Sequence, residues 1–186
     1  MTLNELLDQP NVTLEQVRSH LASLSGDERV RQATTLKRSQ QALLWKLAEK
    51  TEPVLETDLV PPNQKPLDPI PFEGQNNLPA FRSFRKVFYR TGKGIAGYND
   101  QAMGWLTGPG YYTVKQGKPN AFIDYTEVPA EKPAGWPDIK KNESGLSQFV
   151  YGYMQDFLRR VYGNVLIGRA SKKGKETANY FVLARP

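Results

Sequence analysis

The sequence predicts an α+β protein: a helical N-terminal segment, then an antiparallel β-barrel or strongly curved sheet with one late helix. Three observations carry this. Helix-capping patterns and leucines at helical spacing crowd residues 1–50. Residues 51–79 hold 7 of the chain's 14 prolines. Residues 80–186 hold 18 of its 20 aromatic residues, in short runs divided by Gly, Asn and Pro clusters.

The helical segment is read from its caps. Thr2 with Glu5, Thr13 with Gln16 and Ser25 with Glu28 each place a hydroxyl and a partner three residues apart, the spacing that satisfies the free amides of a first turn. Leu14, Val17, Leu21 and Leu24 form one helical face, and Leu36, Leu43, Leu44 and Leu47 mark a longer helix. His20, the only histidine, falls on the solvated side of its helix. The leucine stripes must bury themselves against each other, the third segment, a second copy or another protein.

Residues 51–79 read as an extended connector lying along the domain that follows, because proline lacks an amide donor and disfavours helix in the residue before it. In residues 80–186, strands are expected at 81–89, 94–99, 103–106, 111–115, 121–125, 165–170 and 178–184. Residues 171–175 suit a hairpin loop. Phe149, Tyr153, Phe157, Leu158 and Val161 share a helical face, which predicts a helix near 147–162 stopped by Gly163.

Composition excludes several chemistries. The chain has no cysteine, so it has no disulfide, thiol nucleophile or Cys-based zinc site, and a single histidine precludes a His-rich metal centre. No metal and no cofactor is called for. The start lacks a basic-then-apolar leader and no run is long enough to span a membrane, so a cytoplasmic location is expected. The net charge of +6 is concentrated in residues 80–186, which carry 17 basic and 8 acidic groups. Arg82, Arg85, Lys86, Arg90 and Lys93 interleave with rings as single-stranded nucleic acid binders require, but strand alternation would turn charge outward and rings inward, which disfavours nucleic acid. Gly92-Lys-Gly-Ile-Ala-Gly97 matches a dinucleotide fingerprint in letters only. No helix is expected after it and no acid stands about 20 residues on, so it reads as a hairpin turn.

The third segment also resembles an uncharacterised bacterial family of lipocalin-like, or calycin-like, barrels. The resemblance lies in GYNDQAMGWLTGPGYYTV (97–114), IDYTEVP (123–129), GWP (135–137), LSQFVYGYMQDFLRRVYGNVLIGRA (146–170) and NYFVLAR (179–185), with SLSGDERVRQATTLKRSQQALLWKLAE (24–49) in the helical part. It implies a barrel and brings no activity and no catalytic residue. The chain departs from lipocalins proper in having no disulfide and no early G-x-W.

Nine tyrosines in about a hundred residues exceed what a sealed core accommodates, since each buried hydroxyl must find a partner. This points to non-catalytic binding of a small apolar or aromatic ligand in a barrel cavity lined by Tyr98, Trp105, Tyr112, Phe122, Tyr125, Arg169 and Tyr180. Two alternatives stand beside it. One is a structural or assembly protein whose residues 1–50 dock to a protein partner or form a homo-oligomer. The other is an enzyme acting through Asp/Tyr/Arg groups in the same cavity, with Asp124 and Asp156 as the candidate acids.

Overall fold

The computed structural model describes residues 1–79, 82–100, 108–143 and 147–186. Eight antiparallel strands close into a barrel in simple chain order: β1 (Ile70–Asn76), β2 (Ser83–Thr91), β3 (Gly94–Asp100), β4 (Tyr112–Gln116), β5 (Ala121–Asp124), β6 (Met154–Tyr162), β7 (Val165–Lys172) and β8 (Lys175–Ala184), with β8 pairing back onto β1. The expected strand at 103–106 lies outside the described residues.

Two elements correct the sequence reading. The helix expected at 147–162 is one turn, α6 (Ser147–Val150), followed by strand β6. Both faces of β6 carry buried apolar residues: Leu158 enters the barrel core and Val161 packs under the N-terminal helices, so apolar residues on opposite faces imitate a helical stripe. Gly163, expected as a helix stop, instead has φ 49° in the β6–β7 turn. The second correction is β1, which arises inside the expected connector. Pro71 is tolerated because β1 pairs with β8 only along 73–76, leaving one side of the strand unpaired at residue 71.

The helices are α1 (Leu3–Leu7), α2 (Leu14–Ala22), α3 (Gly26–Ala33), α4 (Arg38–Leu47) and α5 (Glu56–Leu59), with a 3-10 turn at Ala48–Lys50. The capping boxes at Thr2 and Thr13 form in full, and Ser25 accepts the Glu28 amide. The buried amide of Gln40 ties α4 to α1 through Asn4 O and Asp8. His20 is half-buried rather than solvated, 2.9 Å from Gln32 Oε1. Leu3, Leu6, Leu7, Val17, Leu21 and Leu44 bury themselves against the outer face of β6–β8, where Val161, Val165, Ile167 and Val182 are equally sealed. The leucine stripes are therefore spent on the chain's own barrel.

The barrel's two ends differ. At one end Val54, Leu59 and Val60, all fully buried, fold under the strands and join the interior cluster of Ile70, Phe72, Phe88, Ile95, Val114, Ile123, Leu166 and Leu183. Arg90 fixes this plug by donating to Val60 O and Pro61 O, and Arg160 by an ion pair to Asp58. The connector thus acts as a lid built into the core. At the opposite end β1, β3, β5 and β7 finish and β2, β4, β6 and β8 begin.

The wall is shaped by inward glycines placed directly opposite rings: Gly74 with Phe84, Gly97 with Tyr112, and Gly168 with Phe181. A side chain on Gly168 would meet the Phe181 ring at 2.1 Å. Each ring lies over the space its glycine leaves, which curves the sheet and lets large side chains fill a narrow barrel. The glycine-rich stretch 92–97 is a hairpin turn followed by β3, not a helix.

Candidate functional site

The interior changes character toward the end opposite Val54, Leu59 and Val60. Strand alternation puts Phe84, Lys86 and Phe88 on one inward row of β2, so a lysine points into the barrel. Lys86 is 2% exposed. Its Nζ lies 2.9 Å from Asn99 Oδ1 and 3.0 Å from Asp156 Oδ2, and it meets the Tyr125 hydroxyl in a short contact. Asn99 donates to the Tyr125 hydroxyl at 2.9 Å, and that hydroxyl lies 3.3 Å from Asp156 Oδ2. The rings of Phe84, Tyr112, Tyr125 and Phe181 surround the ammonium at 5.0–5.6 Å from their centroids.

Burial pushes the Lys86 ammonium below its ordinary range, and the Asp156 carboxylate works against that shift. Burial and the Asp156 charge together push the Tyr125 and Tyr112 hydroxyls well above theirs. The cluster is a buried lysine–aspartate pair at ion-pair distance, held by Asn99 and the Tyr125 hydroxyl.

Above this floor lies a recess of about 370 Å³. Phe84, Phe181, Tyr151, Met154, Leu78 and Val150 supply most of its apolar wall, and Lys86, Asn99, Tyr125 and Asp156 its polar floor. Tyr151 stacks on Tyr125 at 5.3 Å.

Of the expected lining residues, the structure brings Tyr112 and Tyr125 into the barrel, both fully buried or nearly so. The side chains of Tyr98, Phe122 and Arg169 lie on the outer face, because each pairs across the sheet with another outward residue, while Tyr180, paired with Arg169, also borders the recess. Tyr98 stacks on Tyr111 and packs with Trp136 of the long β5–β6 connection, which also takes hydrogen bonds from Tyr89 and Tyr111. Phe122 stacks on Phe157. Arg169 pairs with Glu176 and lies over Tyr180, which in turn packs on Trp45. Trp105 lies outside the described residues.

The two candidate acids separate in the same way. Asp156 belongs to the interior cluster. Asp124 faces outward, bound to Lys115 at 3.1 Å and to the hydroxyl and amide of Thr126. Burial raises the Asp124 pKa, but Thr126 and Lys115 outweigh burial and hold its carboxyl below the ordinary 3.8. Lys86, Asn99 and Tyr151 were not singled out as lining residues. The signal for Lys86 was present: it sits two residues from Phe84 and two from Phe88, on the same strand face.

No family model, no curated protein and no solved structure matches the chain. Of the lipocalin-like resemblance, the closed eight-stranded antiparallel barrel is what the structure supports. Among the described residues no helix is long and apolar enough to cross a membrane.

Proposed function

We propose that the protein binds a small, largely apolar molecule in the recess, without chemistry on it. The observation that carries this reading is the recess itself. At about 370 Å³ it falls in the usual range of small-molecule sites, roughly 300–1,000 Å³. Such sites pair an apolar wall with a few fixed polar groups, and the rings of Phe84 and Phe181 above the Lys86–Asp156 floor have that composition. The cysteine-free composition accords with a reducing cytoplasm as the place of action.

The test is native mass spectrometry after incubation with an apolar naphthalene-type probe, on the natural protein and on Ala170→Trp. Ala170 faces inward opposite Asp156, so an indole there fills the recess. The reading expects a stoichiometric adduct on the natural protein, lost on denaturation and absent from the variant. Equal adducts on both proteins, or none on the natural one, would overturn it.

A further inference from the structure

We infer that the recess selects a neutral hydrogen-bond donor, an alcohol or phenol on an apolar body, over a carboxylate or an ammonium. This rests on the ligand-binding reading above and names the class of ligand. Hydrogen-bonding capacity at the floor sets the preference. The Lys86 ammonium has three hydrogens and three oxygen neighbours: Asn99 Oδ1, the Tyr125 hydroxyl and Asp156 Oδ2. One hydrogen of the Asn99 amide goes to the Tyr125 hydroxyl, which itself lies between Asn99 and Asp156. The Lys86 ammonium and the Tyr125 hydroxyl are thus occupied inside the cluster, which leaves the second, uncharged N–H of the Asn99 amide. Asp156 Oδ2 takes both Lys86 and Tyr125, while Oδ1 accepts no hydrogen bond from the described residues. Asp156 lines the recess with its carboxylate 4% exposed. The floor therefore has acceptor capacity to spare.

Charge then decides between donors. A ligand carboxylate brings no proton to Asp156 Oδ1 and places a second anion beside it, where the neighbouring cation is already paired. A ligand ammonium could donate to Oδ1, but it would sit next to the Lys86 ammonium in a poorly solvated site. A hydroxyl donates without adding charge, and its hydrogen bond to a carboxylate is of the stronger, charge-assisted kind. Lys172 also lines the recess, and it holds an interaction of its own.

The experiment is calorimetric titration of the full chain at neutral pH with four matched probes: naphthalene, naphthol, naphthoate and naphthylmethylammonium. Naphthol is expected to bind about tenfold or more tightly than each of the others, the gain of one charge-assisted hydrogen bond. In the paired variant Lys86→Met with Asp156→Leu, which removes both charges together, naphthol should lose that advantage over naphthalene. Equal binding of naphthalene and naphthol, or tighter binding of either charged probe, would overturn the selectivity while leaving the ligand-binding reading standing. Binding of none of the four would overturn both. If the paired variant does not fold, the four titrations of the natural protein decide the matter alone.

Discussion

Lys86 and Asp156 meet at 3.0 Å inside the barrel, although they stand on β2 and β6, opposite walls of an eight-stranded ring. The ion pair therefore spans the barrel between strands that share no backbone hydrogen bonds. Both side chains are at least 96% removed from solvent, so neither charge is compensated by water if the other is lost.

Breaking that pair from one side should be costly. Lys86→Met leaves the Asp156 carboxylate buried without its cation, and the loss expected in urea unfolding is about 3–5 kcal/mol. Replacing both partners, as Met and Leu, should cost much less than the single change, because no uncompensated charge remains. A single variant as stable as the natural protein would show that the pair is not formed.

The glycines under rings predict a second sensitivity. A methyl at Gly97 would lie 2.2 Å from the Val87 carbonyl oxygen and 2.6 Å from the Tyr112 ring. The carbonyl belongs to the neighbouring strand and cannot rotate away. Gly97→Ala should destabilise by about 2 kcal/mol or more, read as a lower urea midpoint at unchanged slope. Gly174→Ala offers a contrast: a Cβ there meets nothing within 4 Å, and its cost comes only from φ 73°.

Removing residues 1–50 should not release a free-standing barrel. It would expose Val161, Val165, Ile167, Val182 and Ala184, all now sealed under the helices. The expected result is aggregation or loss of β structure by circular dichroism and gel filtration. A monomeric, folded fragment would return the helices to the role of a separable docking segment.

Asp124 gives a pH dependence with a definite sign. Its folded pKa lies below the ordinary 3.8, so the folded state holds fewer protons than the unfolded chain in that range. The stabilisation is complete above about pH 4 and fades as pH falls through the depressed value. Asp124→Asn should thus be less stable than the natural protein at pH 7, with the gap narrowing in acid. A gap that stays constant with pH would mean that Thr126 and Lys115 do not hold the carboxylate.

Much of the barrel was legible because inward and outward residues alternate. Ile95, Val114 and Ile123 stand in strands flanked by Gly and Asn turns, and those strands were found within two residues of their observed ends, while the strand of Val182 begins three residues earlier than expected. Strand β6 was hidden because each of its faces mixes polar with apolar residues, Asp156 with Leu158 inside and Arg159 with Val161 outside, so no period of two shows. Strand β1 was hidden by Pro71, whose acceptability depends on which neighbour reaches it. The site was legible in part. The excess of tyrosine pointed to Tyr125 and Tyr180, which line the recess, and to Tyr112, which is buried inside the barrel, but also to Tyr98, whose ring is consumed in outer-face packing. Lys86 was assigned outward on the rule that charge seeks water. That rule fails where a carboxylate from the opposite wall arrives to meet it, and a pairing between residues 70 apart leaves no mark in one sequence.

The central claim is that small molecules enter the barrel at the end floored by Lys86 and Asp156. The most direct measurement follows the methionine methyl resonances of the protein during a naphthol titration, because Met154 lines the recess while Met1 is exposed at the chain start. The account predicts that the Met154 methyl shifts saturably and that Met1 stays in place. A Met154 methyl that does not move, whether naphthol binds elsewhere or not at all, would contradict it.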